Sequence, residues 1–341
     1  MTHAQRPRPA IELIGVTKRY TGSRRGLAGH SGSITALDDV DLAVAHGETF
    51  GLVGESGSGK TTLGRLIVGL EKPDSGVIRV AGSDIHTLRG AGLKAFRRQV
   101  QMIFQDPYQS LNPYMSVKDT VAEPLAIKGG SNHAQRIKKM AQALTLAGLT
   151  PVENYLYSYP HQLSGGQRQR VAIARAMVLD PHYIVADEPA SMLDASTSIQ
   201  IFQLLAQIQR VRKMTLVFIT HSLAAAHYLC HKIAVIYRGR VMETGPASTI
   251  IKNPRHPYTQ ALLDALPDYG HLRPGHRYMA LRSQTRDEDP EDGCPFFSRC
   301  NFAQEDRCRR ERPGLNPVDE ETRVACLLVP CRDQGSPKNG V

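Results

Sequence analysis

A short apolar strand, a glycine-rich loop and an amphipathic helix follow one another without interruption near residue 50. The strand covers Thr49–Gly54, and Thr61–Leu70 carries apolar side chains at helical spacing. Between them, residues 54–61 read GESGSGKT, which fits the pattern GxxxxGK[ST]. Glycines in such a loop let successive backbone N–H groups curve around a phosphate at the start of a helix. The segment therefore predicts a phosphate-binding loop between a buried strand and a helix.

The residues of this loop have expected partners in a nucleotide. Lys60 is predicted to reach the β- and γ-phosphate oxygens and to act in catalysis, and the Thr61 hydroxyl is predicted to bind Mg²⁺. A chance glycine-rich turn is the alternative, but the flanking strand and helix argue against it. The predicted nucleotide-binding residues here are Gly54, Glu55, Ser56, Gly57, Ser58, Gly59, Lys60, Thr61 and Thr62.

A second apolar strand ends in two adjacent carboxylates. Residues 184–187 are followed directly by Glu188. Asp187 is predicted to hold Mg²⁺ through water, and Glu188 to polarise the attacking water. Adjacent acids can also be ordinary surface charges, but these two end a buried strand in a chain that carries a phosphate loop elsewhere.

A further anion site is predicted at residues 163–167, which read LSGGQ. The Ser164 hydroxyl and the amides of Gly165, Gly166 and Gln167 stand where a helix begins. One nucleotide does not need two such sites. We therefore expect this loop to serve the γ-phosphate of a nucleotide held by a facing subunit in a head-to-tail dimer.

Strands and helices alternate along the rest of the chain, as in a parallel sheet. A helical region between about residues 116 and 160 is predicted to be bounded by Pro124, Gly129–Gly130 and Pro151. The other predicted elements are strands at 11–20, 36–47, 182–186 and 215–220, helices at 135–149 and 196–212, a hairpin at 233–243 and a loop at 21–33.

Composition indicates which other classes of protein this chain could belong to. No apolar run approaches the roughly 20 residues of a membrane-spanning helix, and residues 1–10 have no signal-peptide core, so we expect a cytosolic chain. The excess of ten basic over acidic residues suits an anionic partner or an ordinary basic surface, and no nucleic-acid groove is predicted. Five of six cysteines fall within residues 294–331, which in the cytosol favours metal binding over disulfides.

Together these motifs resemble the ATP-binding subunits of ABC transporters, over residues 11–267. Residues 54–61 are similar to the Walker A loop, 185–188 to the end of Walker B and 163–167 to the signature. Residues 191–194 resemble the D-loop, and His221 the catalytic switch histidine. The resemblance also implies that Gln105 touches Mg²⁺ and the membrane subunits as the Q-loop glutamine, and that Tyr20 stacks on adenine. An ordinary structural role is the alternative for Tyr20, Gln105 and His221.

The resemblance implies an α/β fold. Its P-loop ABC ATPase core would have a parallel sheet, a small antiparallel β part and a helical insertion at about residues 106–178. This nucleotide-binding domain would occupy residues 1–265, and a cysteine-containing C-terminal extension would occupy residues 266–341.

Three segments resemble one branch of the family, the importers of dipeptides, oligopeptides and nickel. They read FQDPYQSLNP at 104–113, RHPYTQALL at 255–263 and GCPFFSRC at 293–300. The branch implies a [4Fe–4S] cluster on a Cys₄ set with the spacing C-x5-C-x7-C-x17-C, while Zn²⁺ and unmetallated thiols are alternatives. The predicted ligands are Cys294, Cys300, Cys308 and Cys326, with Cys230 and Cys331 as bystanders.

The function implied by the resemblance is ATP hydrolysis that energises peptide import. Expected partners are two transmembrane permease subunits, a second ATPase subunit, identical or related, and indirectly an extracytoplasmic substrate-binding protein. The chain would lie peripherally on the cytoplasmic face of the bacterial inner membrane. A nickel importer of the same branch is one alternative. A soluble ABC ATPase acting on ribosomes or DNA is another, disfavoured by the single cassette and short insertion.

Overall fold

The computed structural model describes residues 8–21, 33–130, 132–265, 290 and 292–331. Most of the loop predicted at 21–33 lies outside these ranges, and so do residues 266–289 of the extension predicted at 266–341. The strands are β1 Ile11–Thr21, β2 Ser33–Val44, β3 Thr49–Val53, β4 Ser75–Val80, β5 Ser83–Asp84, β6 Val100–Ile103, β7 Tyr183–Asp187, β8 Thr215–Thr220, β9 Lys232–Tyr237, β10 Arg240–Pro246, β11 Asn316–Pro317 and β12 Arg323–Val324.

The helices confirm the predicted alternation with the strands. They are α1 Lys60–Ile67, α2 Gly90–Gln99, α3 Pro107–Ser110, α4 Val117–Lys128, α5 His133–Leu146, α6 Gly165–Met177, α7 Ala195–Arg212, α8 Leu223–Leu229, α9 Ala247–Lys252, α10 Pro257–Asp264 and α11 Glu305–Cys308. None of these described helices combines the length and the apolar character needed to span a lipid bilayer.

The described residues form two compact units. The first comprises the residues up to Ile14, Leu42–Phe50 and Thr61–Ile219, and the second comprises Gly15–Asp41, Gly51–Lys60 and the residues from Thr220 onward. The chain passes from one unit to the other inside β3 and again at the start of α1. The predicted division at 265/266 stays a prediction.

A parallel sheet lies in the first unit. Its strands β8, β7 and β6 are neighbours in that order, and Ile184 of β7 pairs with Gln101 on one side and Leu216 on the other. Every residue of β7 is buried, as expected for an apolar run covered on both faces of a parallel sheet. A separate four-stranded sheet has the strand order β2-β1-β4-β5, and its strands β4 and β5 are antiparallel. The α/β fold is confirmed.

The helical region of the first unit corrects one predicted boundary. Pro124 lies inside α4 and does not end it. Proline removes one backbone hydrogen bond from a helix, but Val121 and Leu125 on either side of it are buried, and tertiary packing of this kind supplies most helical stability. Farther along, Asn132 and Gln135 form a capping box that starts α5.

The second unit is built on the predicted hairpin. Strands β9 and β10 pair around a turn at Arg238-Gly239, with Arg240 opposite Tyr237. Strand β12 then pairs with β10, and β11 with β12, so C-terminal residues extend the same sheet. Tyr237, Tyr258 and Phe296 form an aromatic cluster with ring centroids 4.7 to 5.4 Å apart.

Gly51 in β3 shows how tightly the second unit is packed. A Cβ at this position would lie 2.8 Å from Ile233 Cγ2 and 3.0 Å from Cys230 Sγ. Gly92 in α2 gives the contrast, because a Cβ there would meet only Leu88 Cδ2 at 3.6 Å.

Gly51→Ala is therefore expected to lower the free energy of unfolding by about 1–3 kcal/mol through overpacking. Gly92→Ala is the matched control, and it should raise that free energy by up to about 1 kcal/mol because alanine favours a helix. Denaturant unfolding of the two variants measures both changes. An equal effect of the two substitutions would contradict this packing account.

Candidate functional site

The glycine-rich loop of the second unit approaches two neighbouring backbone segments closely. A Cβ at Gly54 would overlap the carbonyl oxygen of Ile236, and one at Gly59 would overlap that of Ala36. Gly59 also has a φ of +103°, which side chains of L-residues rarely tolerate. No other residue type fits either position without moving the backbone, so these glycines are required by packing as well as by any ligand.

Lys60 is held beneath this loop. Its side chain is almost completely buried. The ammonium Nζ donates to the carbonyl oxygens of Gly54 at 2.9 Å and Glu55 at 2.8 Å, and it lies 3.4 Å from Ser58 Oγ. The loop therefore places one positive charge among its own backbone dipoles, at the end where α1 begins.

Two oxygen ligands of the predicted Mg²⁺ site meet in the first unit. Thr61 Oγ1 donates to Asp187 Oδ1 at 3.2 Å, and Asp187 is buried at the end of β7. Hydroxyl and carboxylate oxygens suit Mg²⁺, which commonly binds one or two such protein groups together with substrate phosphates and water. The residues present thus fit this metal. Thr62 follows in α1, half-buried.

Glu188 adopts a strained backbone conformation directly after this site. Its φ is +42°, a left-handed value that costs a non-glycine residue roughly 1–3 kcal/mol. The Glu188 N–H donates to the carbonyl of Ile219 at 2.9 Å, and its Oε2 accepts from Gln105 Nε2 at 3.1 Å. The structure therefore brings together two residues that lie far apart in the sequence and were predicted separately.

The LSGGQ segment begins α6 as predicted. Ser164 Oγ accepts from the Gln167 N–H at 3.3 Å, and Gln167 Oε1 accepts from the Ser164 N–H at 2.9 Å, which completes a capping box. A Cβ at Gly166 would approach Thr197 Cγ2 to 2.6 Å, whereas one at Gly165 would lie 3.1 Å from Leu193 Cδ2. The glycines let the helix start lie against the residues around the beginning of α7.

Side chains near this segment form further contacts. The Arg168 guanidinium lies 4.1 Å from the ring centre of Tyr108, a close cation–π contact. In the D-loop, Asp194 caps α7. Hydrogen bonds from Ser196 and Thr197 hold the pKa of Asp194 well below its usual value. Ser191 Oγ donates to the backbone carbonyl of Glu188 at 3.1 Å, which connects residues 191–194 to the backbone of Glu188.

Two further predicted residues, Tyr20 and His221, belong to the second unit. Tyr20 is in β1, partly exposed, with Lys18 Nζ 5.4 Å from its ring centre. His221 follows β8 directly. Their predicted roles at adenine and at the γ-phosphate stay predictions.

Four cysteines line one cavity of the second unit. They are Cys294, Cys300, Cys308 and Cys326, and Phe296 and Phe297 are among the other residues of the wall. Burial raises the pKa of Cys294 to about 12 and also raises that of Cys326. Within the described ranges, however, no group of three or more His, Cys, Asp or Glu residues has an arrangement that could hold a metal ion. The four predicted ligands therefore line one cavity, but the described side chains are not arranged as a metal-binding site.

Glu55 contacts two residues that sequence reasoning missed. Its N–H donates to the Tyr258 hydroxyl at 3.0 Å, and its carboxylate accepts two hydrogen bonds of 2.9 Å from Arg299. Both partners stand in segments already noted for their resemblance, 255–263 and 293–300. That resemblance was the only available signal, and it gave no role to either side chain.

Comparison with known families and proteins agrees with this geometry. The family described as "ABC transporter" matches residues 37–191, and "Oligopeptide/dipeptide transporter, C-terminal region" matches residues 242–308. A "Di/tripeptide transport ATP-binding protein DppF" of Pseudomonas aeruginosa is 41% identical, over 91% of this chain and 95% of that protein. A "Putative oligopeptide transport ATP-binding protein YkfD" of Bacillus subtilis is 40% identical, over 88% and 92%.

Solved structures support the same assignment. A "dimeric structure of a post-hydrolysis state of the ATP-binding cassette MJ0796 bound to ADP and Pi" has a TM-score of 0.62 and 32% identity, and covers 70% of this chain and 98% of that one. The cbiO1 protein of Clostridium perfringens, "part of the ABC transporter complex cbiONQ", has a TM-score of 0.63 and 26% identity, and covers 78% and 99%. The chain belongs to the ABC transporter family, as one of its ATP-binding and ATP-hydrolysing subunits.

Proposed function

We propose that this ATPase energises the uptake of short peptides through an ABC importer. The observation that carries the proposal is the match of residues 242–308 to the C-terminal region of oligopeptide and dipeptide transporters, joined to a cassette in the same chain. The two relatives described above, named for di/tripeptide and oligopeptide transport, support it over most of their length.

Two such subunits, identical or related, would close on two ATP molecules. Each nucleotide would lie between residues 54–61 of one subunit and Ser164–Gln167 of the other. The helix start at α6 supports this arrangement, because the N-terminus of a helix binds anions. A solved relative described as dimeric with ADP and Pi gives further support.

In this mechanism the chain's own groups position the phosphates and the attacking water. The loop amides and Lys60 would hold the β- and γ-phosphate oxygens, and Tyr20 would stack on adenine. Glu188, fixed by its backbone and by Gln105, would orient water for in-line attack, while His221 would hold the γ-phosphate. Thr61, Asp187 and Gln105 would hold Mg²⁺, whose charge would offset the negative charge that develops on the phosphoryl group.

The partners follow from importer function. Two permease subunits in the bacterial inner membrane would carry this chain on their cytoplasmic face, and an extracytoplasmic protein would deliver the peptide to them. The helical insertion at about 106–178, together with Gln105, would pass the closing motion to the permeases. The cassette at 1–265 would supply the energy, and the extension at 266–341 would be an added module.

The four-cysteine cavity supports a second proposal, a structural metal centre in the extension. Cys294, Cys300, Cys308 and Cys326 would bind a [4Fe–4S] cluster, or Zn²⁺ in its place, after their side chains turn towards one point. The support is that the four thiols already share one cavity wall. A buried thiol with a raised pKa stays protonated at neutral pH unless a positive centre replaces the proton.

Glu188→Gln should abolish turnover and preserve nucleotide binding. Replacing a group that orients the attacking water lowers kcat by about 100-fold or more, whereas the loop amides and Lys60 that bind the phosphates are untouched. ATPase assays and binding of a nonhydrolysable ATP analogue measure the two effects. Glu311→Gln, at an exposed glutamate of the same chain, is the control. ATP hydrolysis at the unsubstituted rate in Glu188→Gln would rule out the role of this carboxylate.

Cargo is tested by uptake in cells whose only copy of the protein carries Glu188→Gln. We expect loss of labelled dipeptide or pentapeptide uptake, with Ni²⁺ uptake unchanged. Loss of Ni²⁺ uptake alone would favour the nickel importers of the same branch. Normal uptake of all three would contradict both importer proposals.

Iron, zinc and acid-labile sulfide in the purified chain test the cysteine proposal. We expect one metal centre per chain, and its loss when Cys300 and Cys308 are changed to serine. The control is Cys331→Ser, because Cys331 is exposed and does not line the cavity. A chain purified without oxygen that contains neither metal would show that the thiols are unmetallated.

A further inference from the structure

Arg299 and Glu55 form a bidentate ion pair. Both guanidinium nitrogens donate at 2.9 Å, one to each carboxylate oxygen. The two side chains are 23% and 41% exposed, so water screens this pair only in part. A planar bidentate pair of this kind fixes orientation as well as distance, and it joins residues 244 positions apart in the sequence.

Arg299 is itself held by the aromatic cluster of the second unit. Its guanidinium lies 5.6 Å from the ring centre of Tyr237 and 5.9 Å from that of Phe296. The hydrogen bonds to Glu55 raise the pKa of Arg299 further above its ordinary value, so the charge is permanent. The arginine that contacts the glycine-rich loop is therefore itself packed against two aromatic rings.

The same cluster contacts the loop a second time and also contacts the cysteine cavity. Tyr258 accepts the backbone N–H of Glu55, and Phe296 is part of the cavity wall. Burial raises the pKa of Tyr258, which keeps its hydroxyl protonated. The backbone and the side chain of Glu55 are thus both fixed by residues outside the loop.

We propose that Arg299 is a positioning residue for the phosphate-binding loop, acting through Glu55, so that the C-terminal segment sets the affinity of the subunit for ATP. The inference rests on residues 54–61 binding ATP. It adds that the cassette depends on a residue beyond the cassette match, which ends at residue 191.

Charge explains the direction of the effect. Arg299 neutralises a carboxylate that stands one residue from Gly54, in a loop that receives a polyanion. Arg299 and Glu55 line one cavity together with residues 56–58 of the loop, Tyr237 and Arg238. Without the guanidinium, the Glu55 carboxylate would be free to move and would repel the phosphates. Both changes weaken binding and neither removes a group that acts on the reacting atoms.

Titration calorimetry of the full chain with Mg²⁺ and AMP-PNP tests the proposal in a double-mutant cycle. Arg299→Gln should raise the Kd about tenfold, of the order expected for loss of a charged hydrogen-bonded pair. In a Glu55→Gln background the same change should have a several-fold smaller effect, because the partner through which it acts is gone. Arg299→Lys should lie between, since lysine keeps the charge but not the fork.

Two further variants separate positioning from folding. Arg309→Gln removes an exposed arginine of the same segment, paired with Glu305, and should leave the Kd unchanged. Tyr258→Phe keeps the ring and removes only the hydroxyl that accepts from Glu55, so it should raise the Kd about threefold. It decides the question if Arg299→Gln does not fold. In the ATPase assay, Arg299→Gln should raise KM and leave kcat within about twofold.

An unchanged Kd in Arg299→Gln would overturn the proposal, as would an equal rise with and without Glu55. If Arg299→Gln fails to fold, an unchanged Kd in Tyr258→Phe would overturn it as well. Failure of the unsubstituted chain to bind AMP-PNP would instead contradict the proposal that residues 54–61 bind ATP. The melting temperature of each variant, measured without nucleotide, shows whether a raised Kd comes from a folded protein.

Discussion

The close approach of the glycine-rich loop to its neighbours is the constraint on which the rest of the site depends. Gly54 leaves no room for a side chain against the backbone of Ile236, and Gly59 leaves none against Ala36. The loop can therefore follow only one path, and that path sets where α1 begins and where Lys60 lies. Residues that act on phosphate chemistry need such fixed backbone around them, because positioning supplies most of phosphoryl-transfer catalysis.

Much of the fold and of the site was predictable because it depends on local pattern. The apolar runs of β7 and β8 indicate buried parallel strands, and the serine and glutamine of LSGGQ are the two ends of a capping box. The meeting of Thr61 with Asp187 follows from one rule, that strand ends and helix starts in a parallel sheet share an edge. Family resemblance then supplied what pattern could not, including the D-loop and the branch.

The features that were missed depend on contacts between distant residues. The pairing of Glu55 with Arg299 has no local signal, and neither does the left-handed backbone of Glu188, which is a strained exception to propensity. Pro124 was read as a boundary because its neighbours' burial is invisible in the sequence. The four cysteines that the resemblance implies as ligands share a cavity, yet a ligand set also requires side-chain directions, and spacing does not specify them.

Because Lys60 is buried, its ammonium loses water during folding. The ammonium of a surface lysine would lose water only when it binds phosphate. A solvated ammonium must lose water before it can hold a phosphate closely. In this chain the carbonyls of Gly54 and Glu55 already replace that water, so dehydration occurs when the protein folds. An arriving nucleotide then meets a charge with little solvent left to reorganise. The resting subunit therefore holds this charge ready to bind at each cycle.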